Sequence, residues 1–147
     1  MFILDALNVL VNAFIKVFEG CRLTAYPDPG TGGEPWTNGW GHTGPDVKQG
    51  TVWTQEHADQ VLESDALKYL LATMGLCPKV RDAKKLSALA DFAYNLGPTR
   101  LAGSTLRRKV NAGDWEGAKR EVVKWVWAGG HKLPGLIRRR KLEASYL

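Results

Sequence analysis

The stretch "YPDPGTGGEPWTNGWGHTG", residues 26–44, concentrates glycine and proline together with tryptophan, threonine, Asp28 and His42. Proline removes a backbone donor and glycine destabilises helix interiors, so this stretch is not a helix. Its turn signals "DPG", "TGG" and "NGW" separate short aromatic or β-branched pieces. The pattern predicts a small twisted antiparallel hairpin sheet within about residues 21–50.

The segment before this sheet, residues 1–18, has the pattern of an amphipathic helix. Its polar residues recur at steps of three, four and four, and its apolar residues face away from them. This polar stripe, and the lack of a cationic region before the apolar run, argue against a membrane span or a cleaved signal peptide. We expect the helix to pack against the body of the protein with Leu4, Leu7, Val11, Phe14, Ile15 and Phe18, and to expose Asp5, Asn8, Asn12 and Lys16.

Amphipathic helices are predicted for most of the remaining chain. A long helix starts after Thr54 and ends at Gly75, and a second one, "DAKKLSALADFAYNLG", starts after Asp82, ends at Gly97 and is expected to be central and buried. Shorter helices are predicted in "STLRRKVNAG", "DWEGAKREVVKWVWAG" and "PGLIRRRKLEASYL".

These patterns predict an α+β fold in a single domain, residues 1–147. The fold is mostly helical, with a small N-terminal antiparallel β-hairpin lobe at about 21–50 and a helical lobe at about 53–147 that includes the N-terminal helix. A cleft between the two lobes is the expected ligand site.

Composition excludes some classes of function. The net charge of +5 favours anionic partners, whether nucleic acid, membrane or wall polymer. No DNA-reading motif is present, and the basic run at residues 138–141 is expected to be a solvated helix face. The histidines have no ligand-pair spacing, so neither a metal nor a cofactor is predicted. Cys21 and Cys77 are expected to be free thiols, with a redox effect of Cys21 on nearby Glu19 as an alternative.

Glu19 directly precedes Gly20 at the end of the first helix. The negative end of the helix dipole and the neighbouring Phe18 both disfavour ionisation of its carboxyl group. A carboxyl that keeps its proton near neutral pH is suited to general acid catalysis. The alternative for this position taken alone is a solvated acid at a helix end.

Asp28 lies between two prolines in a polar turn, where a carboxylate stays ionised. One acid at a helix end and another in a turn nine residues later have different environments, as glycosidases require. A plain Asx-turn role is the alternative for Asp28. Glu34, at the glycine-rich tip of the loop, is a rival second carboxylate and ranks below Asp28.

Other polar and aromatic residues of this loop are candidates for supporting roles. The Thr37 hydroxyl could position a water molecule beside Asp28, and His42 is expected to stabilise the hairpin by hydrogen bonding. Trp36 and Trp40 could stack on sugar faces, although core packing is an equal alternative.

Three segments together, "FEGCRLTAYPDPG", "WTNGWGHTG" and the region from "DFAYNLG" to "GGHKLPGLIRRR", resemble the phage-type lysozymes, or endolysins, of glycoside hydrolase family 24. The likeness extends from about Phe18 to Arg140. It implies a lysozyme-like fold and hydrolysis of the β-1,4 bond between N-acetylmuramic acid and N-acetylglucosamine in bacterial peptidoglycan, for host cell lysis.

The resemblance also implies roles for single residues. Glu19 matches the catalytic acid, Asp28 the second carboxylate and Thr37 the threonine of the family motif. Asn95, in "AYNLG", matches a position on the helical side of the cleft and is a candidate for support or substrate contact. The separation of nine residues between Asp28 and Thr37 is longer than in many relatives, with "TGGEP" as the additional segment, so Glu34 stays a candidate.

The expected partner is peptidoglycan, with no nucleic acid and no stable membrane insertion. The protein is expected to be a monomer that accumulates in the host cytoplasm and depends on a separate holin-type protein to reach the wall. The alternatives are a non-catalytic wall-binding protein and a lytic transglycosylase, which keeps the acid but needs no carboxylate to position water.

Overall fold

The computed structural model describes residues 2–147. Its α-helices are α1 (Phe2–Val9), α2 (Lys16–Phe18), α3 (Gln55–Leu76), α4 (Ala83–Leu96), α5 (Pro98–Ala102), α6 (Thr105–Asn111), α7 (Trp115–Val122) and α8 (Pro134–Tyr146). A π-helical segment, Leu10–Ile15, joins α1 to α2. The strands are β1 (Arg22–Tyr26), β2 (Thr37–Gly39), β3 (His42–Thr43), β4 (Trp127–Ala128) and β5 (His131–Lys132). The prediction of an α+β fold that is mostly helical with a small antiparallel sheet is confirmed.

The predicted hairpin sheet is present as three antiparallel strands in the order β1-β2-β3. Tyr26 pairs with Thr37 across β1 and β2, and Thr37 pairs with Thr43 across β2 and β3. The register shifts between Arg22 and Tyr26, so an irregularity lies within β1. Thr37 therefore lies on the central strand of the sheet, two residues along the ladder from the turn at Gly39–Gly41.

Helix α4 is the centre of the core, as its sequence pattern predicted. Every residue from Leu86 to Ala93 is buried, and α1, α3, α5 and α8 pack around the helix. Its start is capped by Asp82, whose Oδ1 accepts a hydrogen bond from the Lys85 amide at 2.9 Å. Its end is at Gly97, which has a positive φ of 98°.

The first helical segment packs against this core through one face, as expected. The buried residues of this face are Ala6, Leu10, Val11, Phe14 and Ile15. The Phe14 ring packs edge to face against the Tyr146 ring, with 4.9 Å between the ring centroids. The predicted face is wrong at Leu4, which is 64% exposed. Across residues 2–147, the structure contains no helix that is both long and apolar enough to cross a bilayer.

The helix predicted to extend through residue 129 is shorter than expected. Helix α7 ends at Val122, and β4 and β5 form a second small hairpin over residues 127–132. Gly129 and Gly130, both with positive φ, form the turn of this hairpin. Two consecutive glycines suit a tight hairpin turn because they adopt positive φ without steric cost.

Candidate active site

Glu19 lies at the junction of the first helical segment, the β hairpin and the helical core. The backbone leaves the helix at this residue, where φ and ψ are −93° and 138°, and its side chain is 27% exposed. Its Oε1 accepts a hydrogen bond from Arg139 Nη1 at 2.8 Å. Its Oε2 faces the hairpin turn, since a Cβ atom at Gly41 would lie 3.5 Å from it.

Arg139 connects Glu19 to a buried acid. The Arg139 side chain is 4% exposed, and it donates from Nε and Nη2 to the two carboxylate oxygens of Asp91 at 2.8 and 2.7 Å. Asp91 is fully buried. Burial alone would lower the pKa of the Arg139 guanidinium, but Asp91 and then Glu19 outweigh it and hold that pKa above its ordinary value.

A second buried ion pair lies next to the first. Arg140 contacts Glu143 at 2.7 Å, and both side chains are fully buried. Burial, the hydrogen bond to Asp91 and the negative charge of Asp91 raise the pKa of Glu143 well above its usual range. The nearby charge of Arg140 acts in the opposite direction and lowers that pKa. Arg139 and Arg140 therefore do not belong to a solvated helix face, and that prediction is wrong for these two residues. Arg138 and Lys141 are exposed as expected.

Asn95 belongs to the same network. Its Oδ1 accepts a hydrogen bond from Arg140 Nη2 at 2.8 Å, and the side chain is half-buried. This contact is compatible with the supporting role that we predicted, because the amide helps hold the second ion pair beneath the site. A substrate contact by Asn95 stays a prediction.

Tyr94 attaches the hairpin turn to helix α4 beside Glu19. Its hydroxyl donates a hydrogen bond to the Trp40 carbonyl oxygen at 2.7 Å. Burial, followed by the charges of Glu19 and Asp65, raises the pKa of Tyr94 far above its ordinary value, so the hydroxyl stays protonated and remains a donor. The contact keeps Gly41 close to the Glu19 carboxylate, at a position where a glycine leaves room.

Asp28 has one carboxylate oxygen engaged and one available. Its Oδ2 accepts hydrogen bonds from the amides of Gly30 and Thr31 at 2.9 and 3.0 Å, so the Asx-turn role is realised. Within residues 2–147 its Oδ1 accepts no hydrogen bond. The two amides fix the orientation of the carboxylate, and the half-buried side chain keeps Oδ1 for another donor.

The β1–β2 pairing brings Thr37 toward Asp28. Tyr26 is the register partner of Thr37, and Asp28 follows Tyr26 by two residues. The Thr37 side chain is half-buried, and its hydroxyl has no hydrogen-bond partner in the part of the chain that the structure describes. Thr37 and Asp28 thus each have a free polar atom near the same end of the sheet.

Glu34 and Trp36 lie in the loop between β1 and β2. Glu34 is exposed, and its backbone oxygen, rather than its carboxylate, accepts a hydrogen bond from the Thr31 hydroxyl at 2.6 Å. No side-chain contact orients the carboxylate among residues 2–147, which agrees with ranking Glu34 below Asp28. Trp36 is half-buried and directly precedes Thr37.

His42 joins the hairpin to helix α3. Its Nδ1 contacts Asp65 on α3, and its Nε2 contacts Asp46 Oδ1 at 3.0 Å. Burial alone would lower the pKa of this imidazole, but the hydrogen bonds to Asp46 and Asp65 and their charges outweigh it and raise the pKa above its ordinary value of 6.5. These contacts fit the structural role predicted for His42.

Neither cysteine lies in a disulfide. Burial raises the pKa of the Cys77 thiol to about 11, which suits an inert core residue. Cys21 is half-buried, with its Sγ 3.6 Å from Gln55 Nε2. Across residues 2–147 no three His, Cys, Asp or Glu side chains group as a ligand set for a metal.

The sequence patterns missed Arg139, Asp91 and Tyr94. Arg139 is 120 residues from Glu19 and 48 from Asp91, so no local pattern could link them. The one available signal was Asp91 itself, a charged residue in a helix that was predicted to be central and buried. A charge at such a position requires a buried partner of opposite sign.

Comparison with known proteins identifies the family of this chain. The phage lysozyme family model matches residues 16–143. The endolysin of Acyrthosiphon pisum secondary endosymbiont phage 1 is 38% identical over 137 residues, which cover 89% of this chain and 90% of that protein. The endolysin of Bacillus phage B103 is 36% identical over 131 residues, and there the chain spans only 49% of the relative's length.

The chain is also similar in structure to a solved muramidase domain. The muramidase domain of SpmX from Asticaccaulis excentricus superposes with a TM-score of 0.80 at 30% identity, over 96% of this chain and 92% of that one. The family match covers most of the chain, including Glu19, Asp28, Thr37 and Arg139. The chain belongs to the phage lysozyme family.

Proposed function

We propose that this chain is a muramidase, a glycoside hydrolase that cleaves the β-1,4 bond between N-acetylmuramic acid and N-acetylglucosamine in peptidoglycan. The observation that carries the proposal is the position of Glu19 between hairpin and core, with Oε1 on Arg139 and Oε2 unengaged by residues 2–147. The names of the relatives, endolysin and muramidase domain, support the same activity.

Glu19 acts as the general acid and donates its proton to the glycosidic oxygen. The Arg139 bond to Oε1 fixes the rotation of the carboxyl group and leaves Oε2 to carry the proton. Asp91 accepts hydrogen bonds from the other two donor nitrogens of Arg139 and so keeps the guanidinium in place for this contact.

Asp28 and Thr37 hold the water molecule that attacks the anomeric carbon. The free Oδ1 of Asp28 accepts a proton from this water, and the Thr37 hydroxyl orients it. The hydrogen bonds from two backbone amides to Oδ2 stop the Asp28 carboxylate from rotating. A water between acid and base requires a carboxyl separation of roughly 6.5–9.5 Å and gives inversion at the anomeric carbon.

The remaining residues support this arrangement. His42 fixes the hairpin on α3, and Asn95 fixes Arg140 beneath the site. Trp36 offers an indole surface next to Thr37 for contact with sugar. No metal or cofactor takes part in the proposed mechanism.

The biological role that we propose is lysis of a bacterial host by a phage. The enzyme acts as a monomer, accumulates in the host cytoplasm and reaches the wall after a separate holin-type protein permeabilises the membrane. The excess of basic residues attracts it to the anionic wall.

Mass analysis of the products from purified peptidoglycan tests this function. Hydrolysis gives fragments with a reducing N-acetylmuramic acid end, and NMR of the fresh products shows inversion. Fragments with a 1,6-anhydro end would instead identify a transglycosylase. If no fragments are released, the protein is a non-catalytic wall-binding protein.

A further inference from the structure

The β lobe contains a recess beside the strand that carries Thr37. Its volume is about 560 Å³, which lies in the range of small-ligand sites. One wall is the segment Glu34–Trp36 and the other is the loop after β3, with Pro45, Val47 and Lys48. The recess therefore combines an aromatic and aliphatic lining with one acidic and one basic side chain.

The recess adjoins the proposed site of bond cleavage. Trp36 directly precedes Thr37, and Thr43, also part of the lining, is the register partner of Thr37. A group bound there would lie near the sugar whose anomeric carbon is attacked.

The two charged side chains of the recess are available to a ligand. Neither the Glu34 carboxylate nor the Lys48 ammonium group forms an ion pair or a hydrogen bond with any of residues 2–147. A ligand that carries both a carboxylate and an ammonium group, separated by an aliphatic chain, would match Lys48, Glu34 and the lining between them.

We propose that this recess binds the stem peptide attached to N-acetylmuramic acid, an inference that rests on the proposed function. In peptidoglycan, the peptide is the part that carries free carboxylates and a free amine on a diamino acid. Lys48 pairs with a carboxylate, Glu34 with the amine, and Trp36 packs against the aliphatic part. Glu34 thereby has a role in substrate recognition and not in catalysis.

Titration of the protein with a soluble stem peptide tests the site without any bond cleavage. We expect saturable shifts of the Trp36 indole N–H resonance in NMR spectra, and their loss in Lys48→Glu. The control is Lys79→Glu, which makes the same charge change at an exposed residue between α3 and α4. Shifts that are absent in the wild type, or unchanged in Lys48→Glu, would overturn the proposal.

The same variants separate this proposal from the proposed function. On intact peptidoglycan, Lys48→Glu should lower kcat/KM about tenfold, equivalent to about 1.4 kcal/mol, while Lys79→Glu stays within about twofold. Equal losses in the two variants would show a general effect of charge and contradict a specific site. If the wild type binds the peptide but releases no muropeptides, the proposed muramidase function is refuted. The proposal that the recess binds the stem peptide would still stand.

Discussion

The two oxygens of Glu19 have different environments, and this difference is what the acid role that we propose requires. One oxygen is fixed by Arg139, which Asp91 holds in turn, and the other faces the hairpin turn at Gly41. Removing Arg139 would release Glu19 and would also leave Asp91 buried without a partner. Such an unpaired charge costs more than the pair itself contributes.

We therefore expect Arg139→Ala to destabilise the protein by about 3–5 kcal/mol, as for other broken buried ion pairs. Denaturant unfolding measures this change. Arg138→Ala is the matched control, because Arg138 is the exposed neighbour on the same helix and should change stability by less than about 0.5 kcal/mol. Similar values for the two variants would contradict the account of the network.

Asp28 and Glu34 differ in how firmly their carboxylates are held. Two backbone amides orient Asp28, whereas no contact among residues 2–147 orients Glu34. We expect Asp28→Asn to lower the rate of wall lysis by about 100-fold or more, the usual range for a catalytic base, and Glu34→Gln to lower it far less. Turbidity assays on both variants provide the comparison. A larger loss in Glu34→Gln would reassign the second carboxylate.

Hydrogen bonds attach the β2–β3 hairpin to Tyr94 on α4 and to Asp59 and Asp65 on α3. The attachment to Asp65 depends on the charge of His42. Because the folded-state pKa of His42 is raised above 6.5, its contribution to stability is fully present below pH 6.5. The contribution is lost as the pH rises through the folded-state pKa.

Unfolding free energies measured between about pH 5 and 8 test this dependence. The wild type should lose stability toward the upper end of the range, and His42→Gln should show a smaller decrease. His131→Gln, which removes an exposed histidine of β5, should keep the wild-type slope. An unchanged slope in His42→Gln would refute the role of the charged imidazole.

The helices whose ends depend on local chemistry were predictable from the sequence. Four of the predicted helices each begin after a residue whose side chain accepts a hydrogen bond from an amide three residues later, as an N-cap residue does: Thr54, Asp82, Ser104 and Asp114. The β4–β5 hairpin was missed because the apolar residues around Trp127 also fit a helix. The signal that could have corrected this was the pair Gly129–Gly130.

The candidate site was predictable only in part, for a physical reason. Glu19, Asp28 and Thr37 lie in short motifs, so a resemblance carried by those motifs could single them out as candidates. Arg139 and Asp91 act through contacts between distant parts of the chain. Arg139 lies in a basic run and Asp91 in an amphipathic helix. Neither pattern reveals that the Arg139 side chain is buried against Asp91.

The molecule as a whole carries an excess of basic residues, 20 against 15 acidic ones. Buried Arg139 and Arg140 are matched by buried Asp91 and Glu143, so the excess lies on the remaining surface. Salt screens such surface charges over about 10 Å at 0.1 M. Binding to purified wall should therefore weaken as salt increases, while binding to an uncharged chitin oligosaccharide should stay constant. Sedimentation of a Glu19→Gln variant with wall fragments measures this, and salt-independent wall binding would contradict it.

The central claim is that the Glu19 carboxyl group donates the proton that breaks the glycosidic bond. The most direct test is the rate of muropeptide release from purified peptidoglycan by Glu19→Gln, with Glu63→Gln, an exposed acid on α3, as the control. If the account is correct, Glu19→Gln folds with the wild-type circular dichroism spectrum and loses about 1000-fold or more in rate, while Glu63→Gln keeps its activity. Loss of a general acid lowers a rate by much more than about tenfold. A folded Glu19→Gln variant whose rate is within about tenfold of the wild-type rate would therefore contradict the claim.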